Sequence, residues 1–235
     1  MVLVPSELAR VLGESARKLK WYTERMRILL ATTNQGKLAE LRQILGEQRI
    51  EVAGLSDSDS TEEIETGSTF VENALLKARH YYRVSGLPTV ADDSGLEVEA
   101  LGGAPGIYSA RYAGESSCDS DRIAKLLDEM KDLPEQLRRA RFVCAAAVVW
   151  EGGEKVFLDE VHGVILKTER GVNGFGFDPI FFYEPLEKTF AELTRSEKVD
   201  VSHRGQAFRR LAAWFRESGL LDTSRSNDRI MTTAD

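Results

Sequence analysis

The chain has 235 residues, 42% of them hydrophobic, with a formal net charge of −7. That length suffices for one sizeable core in one or two lobes. The acidic balance, with a sequence pI near 5.2, argues against a broad nucleic-acid-binding face and leaves room for a local basic pocket. Cys118 lies in a polar segment and Cys144 in an apolar run, so neither a disulfide framework nor a metal-ligand spacing is visible. No apolar stretch approaches the ~20 residues of a membrane span, and Glu7 and Arg10 come too early for a signal-peptide core. A soluble cytoplasmic protein, with neither a nucleic acid nor a membrane as partner, is the expectation.

Residues 1–25 read as an extension. Leu8, Val11 and Leu12 recur at helical spacing behind a potential cap at Ser6, but nothing connects them to the motifs downstream. An over-long start and a genuine extra helix both fit. Met26 opens a short buried strand, Arg27 to Ala31, and a single domain is expected over 26–220. Leu38, Leu41 and Leu45 predict a helix after it. A second helix follows Gly67, with Thr69 and Glu72 as a capping box and Phe70, Ala74, Ala78 and Tyr81 as its apolar line. Strands are expected at about 87–91 and 96–101, then a polar helix at about 119–130, ending before Pro134. The apolar run 142–150 turns at Gly152 and Gly153 into a partner strand reaching Ile165, a hairpin. A glycine-rich loop, 171–176, precedes Pro179 to Phe182. The last helix carries Phe208, Leu211, Ala212 and Phe215, with Lys198 and Ser202 to Gly205 at its start; the polar residues 221–235 are expected to be a frayed tail. Helices mixed with strands and one hairpin predict an α/β fold, a mixed central sheet with flanking helices, in two lobes around a cleft.

Four segments could carry chemistry. Ala91-Asp92-Asp93-Ser94-Gly95 places two carboxylates where an apolar run ends. Neighbours on a strand face opposite ways, so one would anchor structure while the other holds a metal or orients a water; the same composition also suits a solvated turn. Thr32-Thr33-Asn34-Gln35-Gly36-Lys37 follows the first strand and opens a helix, where backbone N–H groups and Lys37 favour an anion. It lacks the spacing of a Walker A loop, and an ordinary cap with a surface lysine fits equally well. Glu62, Glu63 and Glu65 form either a solvated acidic loop or part of an oxygen-rich Mg²⁺ site opposite Asp93. Gly174 to Pro179 offers Phe175 as a stacking face for a nucleobase, with Phe177 either core or site. Lys198, His203 and Arg204 put cations at a helix start, where the macrodipole disfavours them, which suggests a ligand there. His80 reads as surface and His162 as structural.

Taken in order and spacing, these segments, with the block Gly102 to Gly114, resemble the inosine/xanthosine triphosphate pyrophosphatase family over about residues 26–220. The resemblance implies a homodimeric two-lobed enzyme that uses Mg²⁺ to hydrolyse ITP, dITP and XTP to the monophosphate and pyrophosphate. It implies that Thr32, Thr33, Asn34, Gln35, Gly36 and Lys37 hold the phosphates. Asp93 would be the general base and a metal ligand, with Ser94 touching substrate. Phe175, Gly176, Phe177 and Asp178 would enclose the nucleoside, and Lys198, His203 and Arg204 would complete the pocket. Relatives commonly place two acids directly before Thr-Gly; here Ile64 takes the first place and Glu65 the second, so the resemblance implies Glu65 as the second metal ligand, with Glu63 its rival. Two other readings stay open: a pyrophosphatase for other altered nucleotides, modified pyrimidines included, and a non-catalytic nucleotide-binding module.

Overall fold

The structure is a computed structural model that describes residues 26–45, 50–55 and 65–218. The expected N-terminal helix, Glu62, Glu63 and the C-terminal tail lie outside the described residues. In chain order the elements are β1 (Met26–Leu30), α1 (Gln35–Leu45), β2 (Ile50–Gly54), α2 (Phe70–Ser85), β3 (Thr89–Val98), α3 (Asp119–Glu129) and β4 (Arg139–Trp150). They continue with β5 (Gly153–Ile165), β6 (Phe181–Tyr183), β7 (Lys188–Thr189), α4 (Arg195–Val201) and α5 (His203–Glu217). The strands form one mixed sheet in the order β2-β1-β3-β4-β5-β6-β7. β1 runs parallel to β2 and β3, and the remaining pairs are antiparallel. Among the described residues no helix is long and apolar enough to cross a membrane.

Helix starts are set by side chains. Asn34 caps α1, its Oδ1 accepting from the N–H groups of Gly36 (2.8 Å) and Lys37 (3.2 Å). Thr69 caps α2 by accepting from Glu72 N (3.1 Å), and the Glu72 carboxylate accepts from the N–H and hydroxyl of Ser68, at 2.7 and 2.8 Å. The expected reciprocal box thus reaches one residue further back than Thr69.

Alternation along β3 and β4 sorts the core. Val90, Cys144, Ala146 and Val148 face α1 and α5, packing with Leu38, Leu41, Phe208, Leu211 and Phe215. Ala91, Val143, Ala145 and Ala147 face α2, packing with Phe70, Ala74, Ala78 and Tyr81. A third cluster joins α3 to β6 through Ile123, Leu126, Phe177 and Phe181.

Two features of the fold differ from those the sequence predicts. The chain does not turn at Asp92 to Gly95: β3 is a single strand, and residues 99–101 form a 3-10 turn instead of its continuation. β3 pairs without a break from Thr89↔Val149 to Val98↔Ala140, because β4 presents an apolar partner opposite Thr89 to Leu96 and cations pair with one oxygen of each carboxylate. Gly95 stays in the strand because another segment approaches it there; a Cβ would lie 2.4 Å from Gly106 O and 2.5 Å from Ser109 Oγ. Lys198 is likewise not at the start of the last helix but on the separate helix α4.

Candidate active site

Strand alternation sends Asp92 and Asp93 to opposite faces of the sheet, into two different charge clusters. Asp92, with a fully buried side chain, faces α1 and α5. Its Oδ2 accepts from Lys37 Nζ, Arg204 Nε and Ser94 Oγ, each at 3.1 Å. Arg204 spreads the rest of its fork over Glu40 (Nη1 to Oε2, 3.2 Å) and Ser94 Oγ (Nη2, 2.8 Å). Burial opposes the Asp92 charge, yet Lys37, Arg204 and Lys77 together hold its carboxyl well below the ordinary carboxylate range. Burial likewise works against the Arg204 charge, and Asp92 and Glu40 outweigh it.

Asp93 faces α2. Lys77 Nζ lies 3.3 Å from Asp93 Oδ1 and 2.7 Å from Glu65 Oε1, and it also donates to the Asp92 carbonyl (2.7 Å). Asn73, one helical turn before Lys77, donates to Asp93 Oδ2 (3.2 Å) and accepts from Gly67 N–H (2.8 Å), tying the Thr66-Gly67 turn to the acid. Arg111 Nη1 stands 3.5 Å from Glu65 Oε2. Burial, and then the nearby Glu65 charge, pushes the Asp93 carboxyl up despite Lys77 and Lys37. Burial alone would favour a neutral Lys77, but Asp93, Glu65 and Asp92 keep it an ammonium with its pKa above the usual value.

The opposite wall is aromatic. Phe175 stands with Lys198 Nζ 4.6 Å and the Arg204 guanidinium carbon 5.4 Å from its ring centre. Asp178 Oδ2 accepts from Phe175 N–H (2.8 Å) and pairs with Lys198. Burial raises the Asp178 carboxyl even beside that lysine. His203 stacks on Phe142, centroids 4.8 Å apart and planes 8° from parallel. Burial first, then Arg204 and Lys198, depress its pKa, so the imidazole is neutral.

Most of these groups border one cleft of about 340 Å³; Asp93, Asn73 and Glu40 stand outside its lining. Among the described residues, the two buried side-chain polar atoms without a hydrogen-bond partner are Asp92 Oδ1 and His203 Nδ1, both on residues that line it. Orphaned polar atoms gathered in one cleft are expected where a ligand completes the hydrogen bonding.

Residues 28–214 match the sequence model of the Ham1 family. The chain belongs to the Ham1 family. Curated relatives named dITP/XTP pyrophosphatase include those of Shigella flexneri, 48% identical, and Escherichia coli strain K12, 47% identical. Each match spans 188 residues, 79% of this chain and 95% of the relative. Among solved structures, a HAM1 protein from Coxiella burnetii (40% identical) and the Staphylococcus aureus Ham1 protein (42%) each superpose with a TM-score of 0.73. Each comparison covers 82% of this chain and 99% of the other.

In this Ham1 chain most of the expected site residues meet at the cleft: Thr32, Thr33, Asn34, Lys37, Glu65, Ser94, Phe175, Gly176, Phe177, Asp178, Lys198, His203 and Arg204. Three do not border it. Gln35 is exposed, with its amide on Thr33 O (3.3 Å). Gly36 packs beneath Phe175, where a Cβ would sit 3.5 Å from the ring. Asp93 lies just behind Lys77 and Glu65, 7% exposed. Phe177 is core, 3% exposed. His162 sits on β5, but its side chain is exposed and meets Glu160 Oε1 at 2.9 Å.

The sequence reading missed Asn73, Lys77, Glu40 and Arg111. A signal existed for the first two. Asn73 and Lys77 are four apart and fall on the apolar side of α2 with Phe70, Ala74, Ala78 and Tyr81, where polar residues need a buried partner. Glu40 follows Lys37 by three residues on α1, but its partner Arg204 is 164 residues away and no local pattern pairs them.

Proposed function

We propose that this chain hydrolyses deaminated purine nucleoside triphosphates, ITP, dITP and XTP, to the monophosphate and pyrophosphate, keeping them out of DNA and RNA. One observation carries the reading: a phosphate-type helix start with Lys37, a buried acid–lysine cluster and an aromatic wall share a single cleft. The names of the relatives supply the substrate class. A triphosphate in that cleft would meet the first turn of α1 and Lys37, and could draw Lys37 from Asp92. Asp93, raised in pKa by burial and Glu65, suits a group that orients a water and accepts its proton as it attacks the α-phosphorus. Lys77 keeps Asp93 in place and presents a positive charge to the phosphates.

Mg²⁺ fits the donors present. Glu65 and Asp93 are hard oxygen ligands that already share one cation, Lys77, although among the described residues no group of three or more His, Cys, Asp or Glu converges as a metal site. Mg²⁺ commonly takes one or two protein carboxylates and fills its shell with water and phosphate. Bound there, it would neutralise charge on the polyphosphate leaving group.

The base would lie against Phe175, with Lys198 and the neutral His203 at its edge. A donor aimed at a 6-oxo group accepts hypoxanthine and xanthine, and it faces another donor, the 6-amino group, if adenine enters. That mismatch leaves a buried donor unpaired. We further propose a homodimer in the cytoplasm, a catalytic domain over 26–220, and a substrate held between two lobes, one carrying α1 and the other the Phe175 to Asp178 loop. A panel of ITP, XTP, ATP, GTP and altered pyrimidine triphosphates tests the substrate class. Preference for a modified pyrimidine would replace it with the neighbouring activity, and tight ITP binding without turnover in Mg²⁺ would leave a binding module.

A further inference from the structure

Carboxylates tie the backbone of Phe175 on both sides. Its own N–H donates to Asp178 Oδ2 at 2.8 Å, and the next N–H, of Gly176, donates to Asp119 Oδ2 at 2.7 Å, from 57 residues earlier in the chain. The glycines either side of Phe175 lie in the left-handed region, φ +78° at Gly174 and +61° at Gly176. No regular ladder holds this segment, so its two N–H anchors set where the ring stands.

Each anchoring carboxylate has its own cation. Asp178 pairs with Lys198, and Asp119 Oδ1 accepts from Arg122 Nη1 at 2.8 Å. Arg122 is fixed in turn by Ser117, through the hydroxyl at 3.2 Å and the carbonyl at 2.5 Å. Helix capping does not explain Asp119. Asp121 does that work for α3, its Oδ2 accepting from Cys118 N–H at 2.9 Å, whereas Asp119 reaches out of its helix. Arg122 and Gly176 border the cleft, whereas Asp119, its side chain 43% exposed, does not line it.

We propose that Asp119 is a positioning residue for nucleoside recognition: through Gly176 N–H it fixes the Phe175 ring against the base, and Arg122 braces it. The inference rests on the reading that Phe175 stacks on a purine. The phosphate side of the cleft, with Lys37 on α1 and Lys77 on α2, makes none of these contacts, nor does Asp93 on β3. Loss of Asp119 therefore loosens the hold on the base and leaves phosphate binding and the chemical step in place.

The test uses the full chain with Mg²⁺ and compares wild type, Asp119→Ala, Asp119→Asn and Arg122→Ala. Steady-state kinetics with ITP, inhibition by inorganic tripolyphosphate, ITP binding and thermal melts are measured. Asp119→Ala is expected to raise KM for ITP about fivefold, the order of one lost hydrogen bond to a charged acceptor that solvent partly screens. Its kcat should change less than about twofold, and tripolyphosphate inhibition should be unchanged. Asp119→Asn keeps an oxygen for Gly176 N–H and should recover most of the loss. Should Asp119→Ala fail to fold, Arg122→Ala carries the test, with a KM rise of about threefold expected for a lost charged brace. An unchanged KM in the folded variant, or equal weakening of ITP and tripolyphosphate, overturns the proposal. A wild type that neither binds nor hydrolyses ITP overturns the purine reading along with it.

Discussion

The two adjacent aspartates should respond to the same substitution in opposite ways. Asp92→Asn removes a charge that three donors share, with a side chain 0% exposed, and leaves Lys37 without its carboxylate partner. Arg204, 4% exposed, keeps Glu40 and Ser94. Breaking a buried pair on one side costs about 3–5 kcal/mol. The lower end fits here, because Lys37 is partly exposed (17%) and can turn to water. At about 2–4 °C per kcal/mol for a domain of this size, the melting temperature should fall by about 10 °C. Asp93→Asn is different: burial and Glu65 already disfavour the Asp93 charge, so neutralising it should move the melt by only a few degrees. Turnover of ITP at saturating Mg²⁺ should instead fall by about 10²–10⁴-fold, the usual contribution of a general base. Single-turnover kinetics and thermal melts on both variants decide. An inactive Asp92→Asn that melts like wild type, beside an active Asp93→Asn, would refute the assignment of the two faces.

Three further outcomes are expected. Lys77→Met leaves Asp93 and Glu65 without their shared cation and should destabilise the fold by about 3–5 kcal/mol; Mg²⁺ should restore part of the melting temperature, since a ligand bound only by the native state stabilises it, and no response to Mg²⁺ would argue against those ligands. His203 is buried neutral with its pKa well below 6.5, so the unfolded chain binds a proton that the native one refuses. Wild-type stability should therefore decline as pH falls below about 6.5, and His203→Gln should flatten that decline in melts between pH 7 and 5; an unaltered slope would exclude His203 as its cause. Deleting residues 1–25 should leave kcat/KM for ITP nearly unchanged, because every motif of the cleft lies after Met26; a large loss in a folded truncation would place the extension at the site or at a dimer contact.

What could be read from the chain follows the range of the interactions. The apolar spacings of Leu38, Leu41 and Leu45, and of Phe70, Ala74, Ala78 and Tyr81, reported α1 and α2 because amphipathic periodicity is local. The double glycine at 152–153 reported the β4–β5 hairpin for the same reason. The motif resemblance agrees with membership of the Ham1 family. Turn composition misled at Asp92 to Gly95, where the antiparallel partner and buried cations keep the strand extended, contacts that no local window contains. Opposite faces for the two aspartates did follow from strand geometry alone. Distant partners were less legible: Lys37 could be read as a cation at a helix start, while Glu40 on Arg204 and Asp119 on Gly176 join segments 164 and 57 residues apart.

An ITP pyrophosphatase cuts between the α- and β-phosphates of a deaminated purine nucleotide. Incubating the purified chain with ITP and Mg²⁺, and resolving the products with no added pyrophosphatase, tests this activity most directly. IMP and pyrophosphate are expected in equal amounts, with ATP cleaved far more slowly. IDP with orthophosphate as the first products, or ATP cleaved as fast as ITP, would contradict it.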